Sequence, residues 1–453
     1  MVANKQYITA ARALVMGLGS SGEAAASLLL RQGARVTIID AQSNPSLETR
    51  ASILRKAGAC VTTGAGGIPD EAYDLAVLSP GIPVAAPWVM ALRARGVPVI
   101  SELELGWQAC RSRVLAVTGS NGKSTLVKFC RESLASSGVT AEAGGNFGRP
   151  LSALALLDPA PDWIVAEVSS FQLEAVDRFA PDVGILLNLN PNHLDRHGTM
   201  DVYTAMKARL FARQAAGQTA VLPWDAPEAV RSSVPSAARR VTFGLADASH
   251  YRYEKGAVTG GSVRVPLAGT IFDNEVMGVT AAACVAAMEG GGVPLGGVTE
   301  AAQAFERLPH RMQTVATVRG VTFIDDSKAT NLAALSAGIH MAGAPVRLIA
   351  GGLLKETRLD SVKKILAKQV RGVYIIGKYS QLMASAWNEC VPCTECGELR
   401  EAVNRAWNEA QAGEVVLLSP GCASFDQFKS FEDRGEQFSG IVRDIQKGER
   451  DRE

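Results

Sequence analysis

The chain has 453 residues, 47% of them apolar and 20% charged, with a formal net charge of +1. That length exceeds what one hydrophobic core fills and predicts about two to four domains, while the near-neutral charge excludes the electrostatic footprint of a polyanion binder, so neither nucleic acid nor a membrane is expected as a partner. The apolar run Val276 to Met288, bounded by Glu275 and Glu289, is too short to span a bilayer, and Ala13 to Gly19 is too short and glycine-broken for a signal peptide.

From the N-terminus, Ala13 to Met16 reads as a strand, followed by Gly17, Gly19 and Gly22 in a GxGxxG turn, an Ala/Leu-rich helix, and a strand from Arg35 to Ile39 ending in Asp40. This is a dinucleotide fingerprint, and a diphosphate-linked sugar nucleotide satisfies the same geometry as NAD. Asp74 to Pro83 gives another strand and a tight turn, Val97 to Ile100 another strand, and a boundary is expected near Cys110 to Arg113.

The next stretch, Val114 to Thr125 (VLAVTGSNGKST), organises the rest. Val114 to Val117 reads as a buried parallel strand and Leu126 to Ala135 as a helix, so the turn lies at a helix N-terminus. Backbone N–H groups and the helix dipole favour an anion there; Lys123 can meet the β- and γ-phosphates of a nucleotide, and a hydroxyl can ligate Mg²⁺. The loop is shorter than GxxxxGK[ST], because Val117 stands where the first glycine would be.

Gly144 to Gly148 reads as a loop too glycine-rich for a strand or helix interior. Trp163 to Val168 is an apolar strand carrying Glu167 near its end, at the edge where α/β sheets bind ligands. Val183 to Leu189 is a further strand, running into Asn190, Pro191, Asn192 and His193, and Tyr203 to Phe211 reads as a helix carrying Lys207. Arg239 to Phe243 and Val263 to Pro266 are strand-like, Ala281 to Met288 is a buried helix, and Leu308 to Arg311 marks a second boundary. The last region restarts an α/β pattern with strands at Val321 to Ile324, Val346 to Ala350, Gly372 to Ile376 and Val415 to Leu418. Most of the eight cysteines read as reduced thiols of a cytoplasmic protein. Cys390, Cys393 and Cys396 form a CxxCxxC run that could ligate a metal but lacks a clear fourth ligand, so an exposed loop with adventitious thiols is expected.

Taken together, TGSNGKST at 118 to 125, EVSSFQLE at 167 to 174, NHLDR at 192 to 196 with Lys207 downstream, LPHR at 308 to 311, DDSKATN at 325 to 331 and LLSPGCASFDQFKSFEDRG at 417 to 435 stand in the order of the muramyl ligases, which the chain resembles over nearly its whole length. The last two motifs look like those of the member that adds D-glutamate to UDP-N-acetylmuramoyl-L-alanine. The resemblance implies an α/β protein of three domains: a Rossmann-like UDP-sugar-binding domain (1–111), a central P-loop ATPase with a mostly parallel sheet (112–308), and a Rossmann-like α/β domain that binds the amino acid (309–453). It implies ATP and Mg²⁺ at two sites, an acyl-phosphate intermediate, and a monomer acting on small molecules.

For the site residues, the resemblance implies that Gly119, Ser120, Asn121, Gly122, Lys123, Ser124 and Thr125 bind ATP together with Arg311 and Asp326. Ser124, Glu167, His193 and Lys207 would hold metal, Lys207 as a carbamate derived from CO₂, which turns an ammonium into an anionic oxygen ligand. By the same resemblance Lys123, Glu167, His193 and Lys207 would form the catalytic set. Ser20, Ser21, Asp40, Asn146 and Gln172 would bind the UDP-sugar, and Lys328, Thr330, Lys355, Ser424 and Phe431 the incoming glutamate, whose two carboxylates call for cationic and hydroxyl donors. The chain departs from the family where an HNxxN segment is expected, with Phe272 to Glu275 near it and Thr280 at the second Asn. It departs again after Gly351 and Gly352, where LLKETRLD replaces a glycine-rich stretch. Competing readings are a related ligase with another acceptor amino acid, an NAD-dependent oxidoreductase, which leaves TGSNGKST idle, and an ATP-binding protein without chemistry.

Overall fold

The computed structural model describes residues 10–355 and 358–451. Among them the strands form three sheets. The first has five parallel strands in the order Cys60–Thr63, Arg35–Asp40, Arg12–Met16, Leu75–Leu78, Val99–Ser101. Arg12–Met16 is buried from Ala13 onward on both faces, as a central parallel strand must be, and its apolar run feeds directly into the GxGxxG turn. The helix Ser20–Arg31 then packs an Ala/Leu face onto the sheet.

The second sheet has nine strands: Val263–Pro266, Ala257–Gly260, Tyr251–Glu254, Arg239–Gly244, Thr219–Pro223, Val183–Leu186, Arg113–Thr118, Trp163–Glu167 and Ala141–Gly145. Its six strands from Arg239–Gly244 to Ala141–Gly145 are parallel, and two antiparallel pairings close the other end. The third sheet runs Gln313–Val318, Val321–Asp325, Val415–Leu418, Val346–Gly351, Val370–Ile376, Cys393–Gly397, with the first pair antiparallel and the rest parallel. By internal contacts the chain separates into two units, one of residues 1–189 and 199–305, the other of 190–198 and 306–453. No helix among the described residues is long and apolar enough to cross a membrane.

Several expectations need correction. Gly144 and Gly145 end a strand instead of lying in a loop, because a Cβ on Gly145 (φ +95°) would sit 2.3 Å from the carbonyl oxygen of Glu167, so only glycine lets these two strands approach. The strand from Val183 stops at Leu186, before Leu189. Three further strands were not read: the edge strand Gln313–Val318, and Tyr251–Glu254 and Ala257–Gly260, whose four residues each are too few to carry a pattern and which take their pairing from neighbours on both sides. The CxxCxxC is no exposed loop: its thiols are half-buried, and Cys393 and Cys396 lie in the strand Cys393–Gly397. Three residues apart in a strand, they point to opposite faces, Cys393 into one apolar cluster and Cys396 into another, so the three sulfurs do not converge.

Candidate active site

The strand Arg113–Thr118 ends in the phosphate-loop candidate, and the helix Lys123–Ser136 begins at Lys123 itself. Gly122, at φ +78°, makes the left-handed turn that starts it, with Leu187 so close that a Cβ there would lie 2.9 Å from its Cδ2. Asn188, which the sequence reading passed over, holds the loop: its Oδ1 accepts from the amides of Ser120 (3.0 Å) and Asn121 (2.9 Å), and its Nδ2 donates to the Asn121 carbonyl (3.0 Å). Those two amides therefore serve the loop's shape, and the first-turn N–H groups from Lys123 onward make the anion seat.

Four of the expected catalytic and metal residues, Lys123, Ser124, Glu167 and Lys207, are in unit one, and all four meet around this loop. Ser124 Oγ donates to Glu167 Oε2 at 2.6 Å, and Asn146 Nδ2 donates to Oε1 of the same carboxylate at 2.9 Å. Lys123 Nζ donates to the carbonyls of Gly119 (3.0 Å) and Ser120 (3.2 Å). Lys207, 1% exposed, also reaches Gly119 O (2.8 Å) and Thr118 Oγ1 (3.2 Å). Burial, then the charge of Lys123, push the Lys207 ammonium well below the usual lysine range, against the pull of Glu167. Tyr203, one turn earlier on the same helix, places its ring 4.7 Å from Lys207 Nζ and its hydroxyl 3.1 Å from Ser120 Oγ. Thr118, Asn188 and Tyr203 were missed because each acts through a contact made far away in sequence; Tyr203 alone gave a signal, its i, i+4 spacing to Lys207.

In the same unit, a cavity of about 560 Å³ opens at the GxGxxG turn, lined by Gly17, Ser20, Ser21, Asp40, Ser79 and Trp88 among others. Asp40 shapes it, Oδ2 accepting from the Leu18 amide and Oδ1 from the Gln42 amide, both at 2.8 Å. Gln172 is buried and forms a capping box with Ser169, its Oε1 accepting from the Ser169 amide.

The other unit contains His193, in the left-handed region at φ +55° in the 190–198 segment, and a second cluster of expected residues. His310 and Met312 are left-handed too, φ +58° and +47°, so Arg311 is presented from a strained turn. Asp326 is buried: Oδ2 accepts from Ser419 Oγ (2.9 Å) and Oδ1 from the Met312 amide (3.2 Å). Burial raises its pKa to about 7, opposed first by the Ser419 hydrogen bond and then by the charge of Arg311. Lys328 Nζ lies 3.5 Å from the centre of the Phe431 ring, Ser424 is buried, Thr330 is half-buried and Lys355 is exposed. Buried Arg434, unexpected from sequence, binds the two motifs together, with Nε on Ser327 Oγ (2.9 Å) and Nη2 on the carbonyls of Ser327 (2.8 Å) and Cys422 (3.2 Å). His310 Nδ1 and Asp325 Oδ2 pair at 2.7 Å beside it.

Residues 11–101 match the Mur ligase MurD-like N-terminal domain, 117–279 the Mur ligase middle domain and 310–422 the Mur ligase glutamate ligase domain. The chain belongs to the Mur ligase family. Within that family it is similar to the UDP-N-acetylmuramoylalanine–D-glutamate ligase of Acidobacterium capsulatum, 36% identical over 95% of this chain and 96% of that one. It is also similar to the enzyme of the same name from Koribacter versatilis, 37% identical over 97% and 98%. Among solved Mur ligase structures, the fold resembles the MurF ligase of Thermotoga maritima in complex with ADP, with a TM-score of 0.63, 18% identity, and 95% and 98% of the two chains covered. This family membership makes the chain an amide-forming ligase.

Proposed function

We propose that this Mur ligase adds D-glutamate to UDP-N-acetylmuramoyl-L-alanine, with ATP converted to ADP and phosphate, in a step of peptidoglycan precursor synthesis in the cytoplasm. The observation that carries the reading is the meeting of Lys123, Ser124, Glu167 and Lys207 at the loop ending the strand Arg113–Thr118. Names of relatives aligned over 95% or more of the chain supply the donor and acceptor.

The reaction needs ATP because an amine cannot expel oxide from a carboxylate. The alanyl carboxylate oxygen takes the γ-phosphoryl group and ADP leaves; the amine of glutamate then forms the C–N bond, loses a proton, and phosphate leaves. Lys123 and the N–H groups of the first helical turn hold the terminal phosphates, charge neutralisation being the main contribution. Ser124 Oγ and Glu167 Oε2, hard oxygen donors 2.6 Å apart, suit Mg²⁺, which when bound neutralises phosphate charge. The depressed proton affinity of Lys207 favours the neutral amine, whose lone pair can add CO₂ with loss of a proton, giving the carbamate expected there. In this reading His193 serves a second Mg²⁺, and Arg311 and Asp326 contact the nucleotide. Ser20, Ser21, Asp40, Asn146 and Gln172 hold the donor, and Lys328, Thr330, Lys355, Ser424 and Phe431 hold glutamate. The functional division is 1–111, 112–308 and 309–453 in a monomer.

The test is phosphate release by the purified protein with ATP, Mg²⁺ and UDP-N-acetylmuramoyl-L-alanine against a panel of acceptors. Release should need D-glutamate; release driven instead by L-alanine, lysine or meso-diaminopimelate reassigns the acceptor, and nicotinamide binding without ATP hydrolysis defeats the reading.

A further inference from the structure

The loop 146–149 is held rigidly at both ends yet exposes its side chains. On one side the Gly145 amide donates to the Arg149 carbonyl (2.7 Å), the Asn146 amide to the Glu167 carbonyl (2.8 Å), and the Asn146 side chain to the Glu167 carboxylate. On the other, the loop enters the helix Leu151–Ala155, whose Ser152 amide donates to buried Glu102 at 2.6 Å and whose Leu151 is fully buried against Gly106. Between these clamps Phe147 is 46% exposed. Arg149 is exposed, and its guanidinium has no hydrogen-bond or ion-pair partner among the described residues. An exposed aromatic ring two residues from an exposed guanidinium, on a loop pinned at both ends, offers a preorganised apolar and cationic pair to a ligand.

Its position says what it would recognise. Asn146 touches Glu167 at the phosphate-loop end, where the acyl group of the donor reacts. The helix that follows the loop packs on the helices Ser20–Arg31 and Glu102–Ala109, and Ser20 and Ser21 line the GxGxxG cavity. The loop thus leads from the reacting end toward the helix that borders the GxGxxG cavity, and in the donor the amino sugar lies between the diphosphate and the reacting acyl group. We infer that Phe147 and Arg149 are specificity-determining residues for the donor, the Phe147 ring lying against the apolar face of the sugar and the Arg149 guanidinium pairing with the diphosphate. This rests on the sugar-nucleotide donor of the proposed function. Arg suits the diphosphate because its fork offers two parallel N–H donors to phosphate oxygens.

The experiment compares Phe147→Ala, Phe147→Trp, Arg149→Ala and Arg149→Lys with the parent, by calorimetric binding of UDP and of UMP and by steady-state kinetics in each substrate. Arg149→Ala should weaken UDP binding about 10-fold while barely changing UMP, with Arg149→Lys recovering part of the loss. Phe147→Ala should leave UDP binding alone and raise the donor KM about 5- to 10-fold, with kcat and the KM for ATP retained, and Phe147→Trp should restore it. Donor KM and UDP affinity within twofold of the parent in both alanine variants overturn the inference, as do equal rises in the KM for ATP, which would mark a structural role. If the parent protein itself binds no UDP, the donor reading has failed, which is a separate result.

Discussion

Replacing Glu102 by Gln removes a carboxyl group that the fold has buried against its own charge. Glu102 is 1% exposed, its Oε1 accepts from the Ser152 amide, and its Oε2 has no hydrogen-bond partner. Burial raises its pKa from 4.5 to about 7, with the Ser152 hydrogen bonds pulling the other way. A raised carboxyl pKa means the folded protein binds the proton more tightly than the unfolded chain, so the stability it contributes is complete below pH 4.5 and is lost as pH climbs toward 7. Between pH 5 and pH 8 this two-state titration removes about 2.5 kcal/mol, at 1.36 kcal/mol per unit of pKa difference. Glutamine keeps the acceptor for Ser152 and cannot titrate. The expected result is that Glu102→Gln gains about 2.5 kcal/mol relative to the parent on going from pH 5 to pH 8. Urea denaturation of both proteins at the two pH values measures it, since titrations common to both cancel in the difference. A parent-to-variant gap that stays the same at pH 5 and pH 8 would refute the argument that Glu102 is protonated in the folded state.

Three further outcomes follow from the site. Lys207→Ala should lower phosphate release by roughly 10²-fold or more and be partly restored by short carboxylates that supply the missing oxygen ligand; an undiminished rate would remove Lys207 from the mechanism. Asn188→Ala frees the Ser120 and Asn121 amides and should weaken nucleotide binding about 10-fold in calorimetry, from the loss of hydrogen bonds worth about 1 kcal/mol each. Arg434→Met strips the bonds joining Ser327 to Cys422 and should destabilise the unit containing it by about 3 kcal/mol or more, read as an earlier urea transition with the transition of the other unit unmoved.

Much of the architecture was legible because it rests on local signals. Buried parallel strands such as Val415–Leu418 have to be continuous apolar runs, and glycines before a helix mark where the chain must turn tightly; both are properties of a few adjacent residues. The antiparallel pieces at Gln313–Val318 and Ala257–Gly260 were not legible, the first because an edge strand is only partly covered, the second because four residues carry too short a pattern and their pairing comes from neighbouring strands. Likewise the CxxCxxC read as an exposed loop, whereas the structure half-buries its thiols and a strand sends Cys393 and Cys396 to opposite faces.

The site divides the same way. Motif order brought Lys123, Ser124, Glu167 and Lys207 forward as candidates, the first three because phosphate and magnesium chemistry favours those residue types beside a helix N-terminus, and Lys207 through the family resemblance. Only the tertiary structure decided what each of them touches. Asn188 comes 67 residues after Asn121, Tyr203 comes 83 after Ser120 and Arg434 comes 107 after Ser327, so no local pattern could pair them. The depressed proton affinity of Lys207 and the raised one of Asp326 belong to the same class: a residue's type sets its reference pKa, but desolvation and neighbouring charge exist only once distant segments have closed around it.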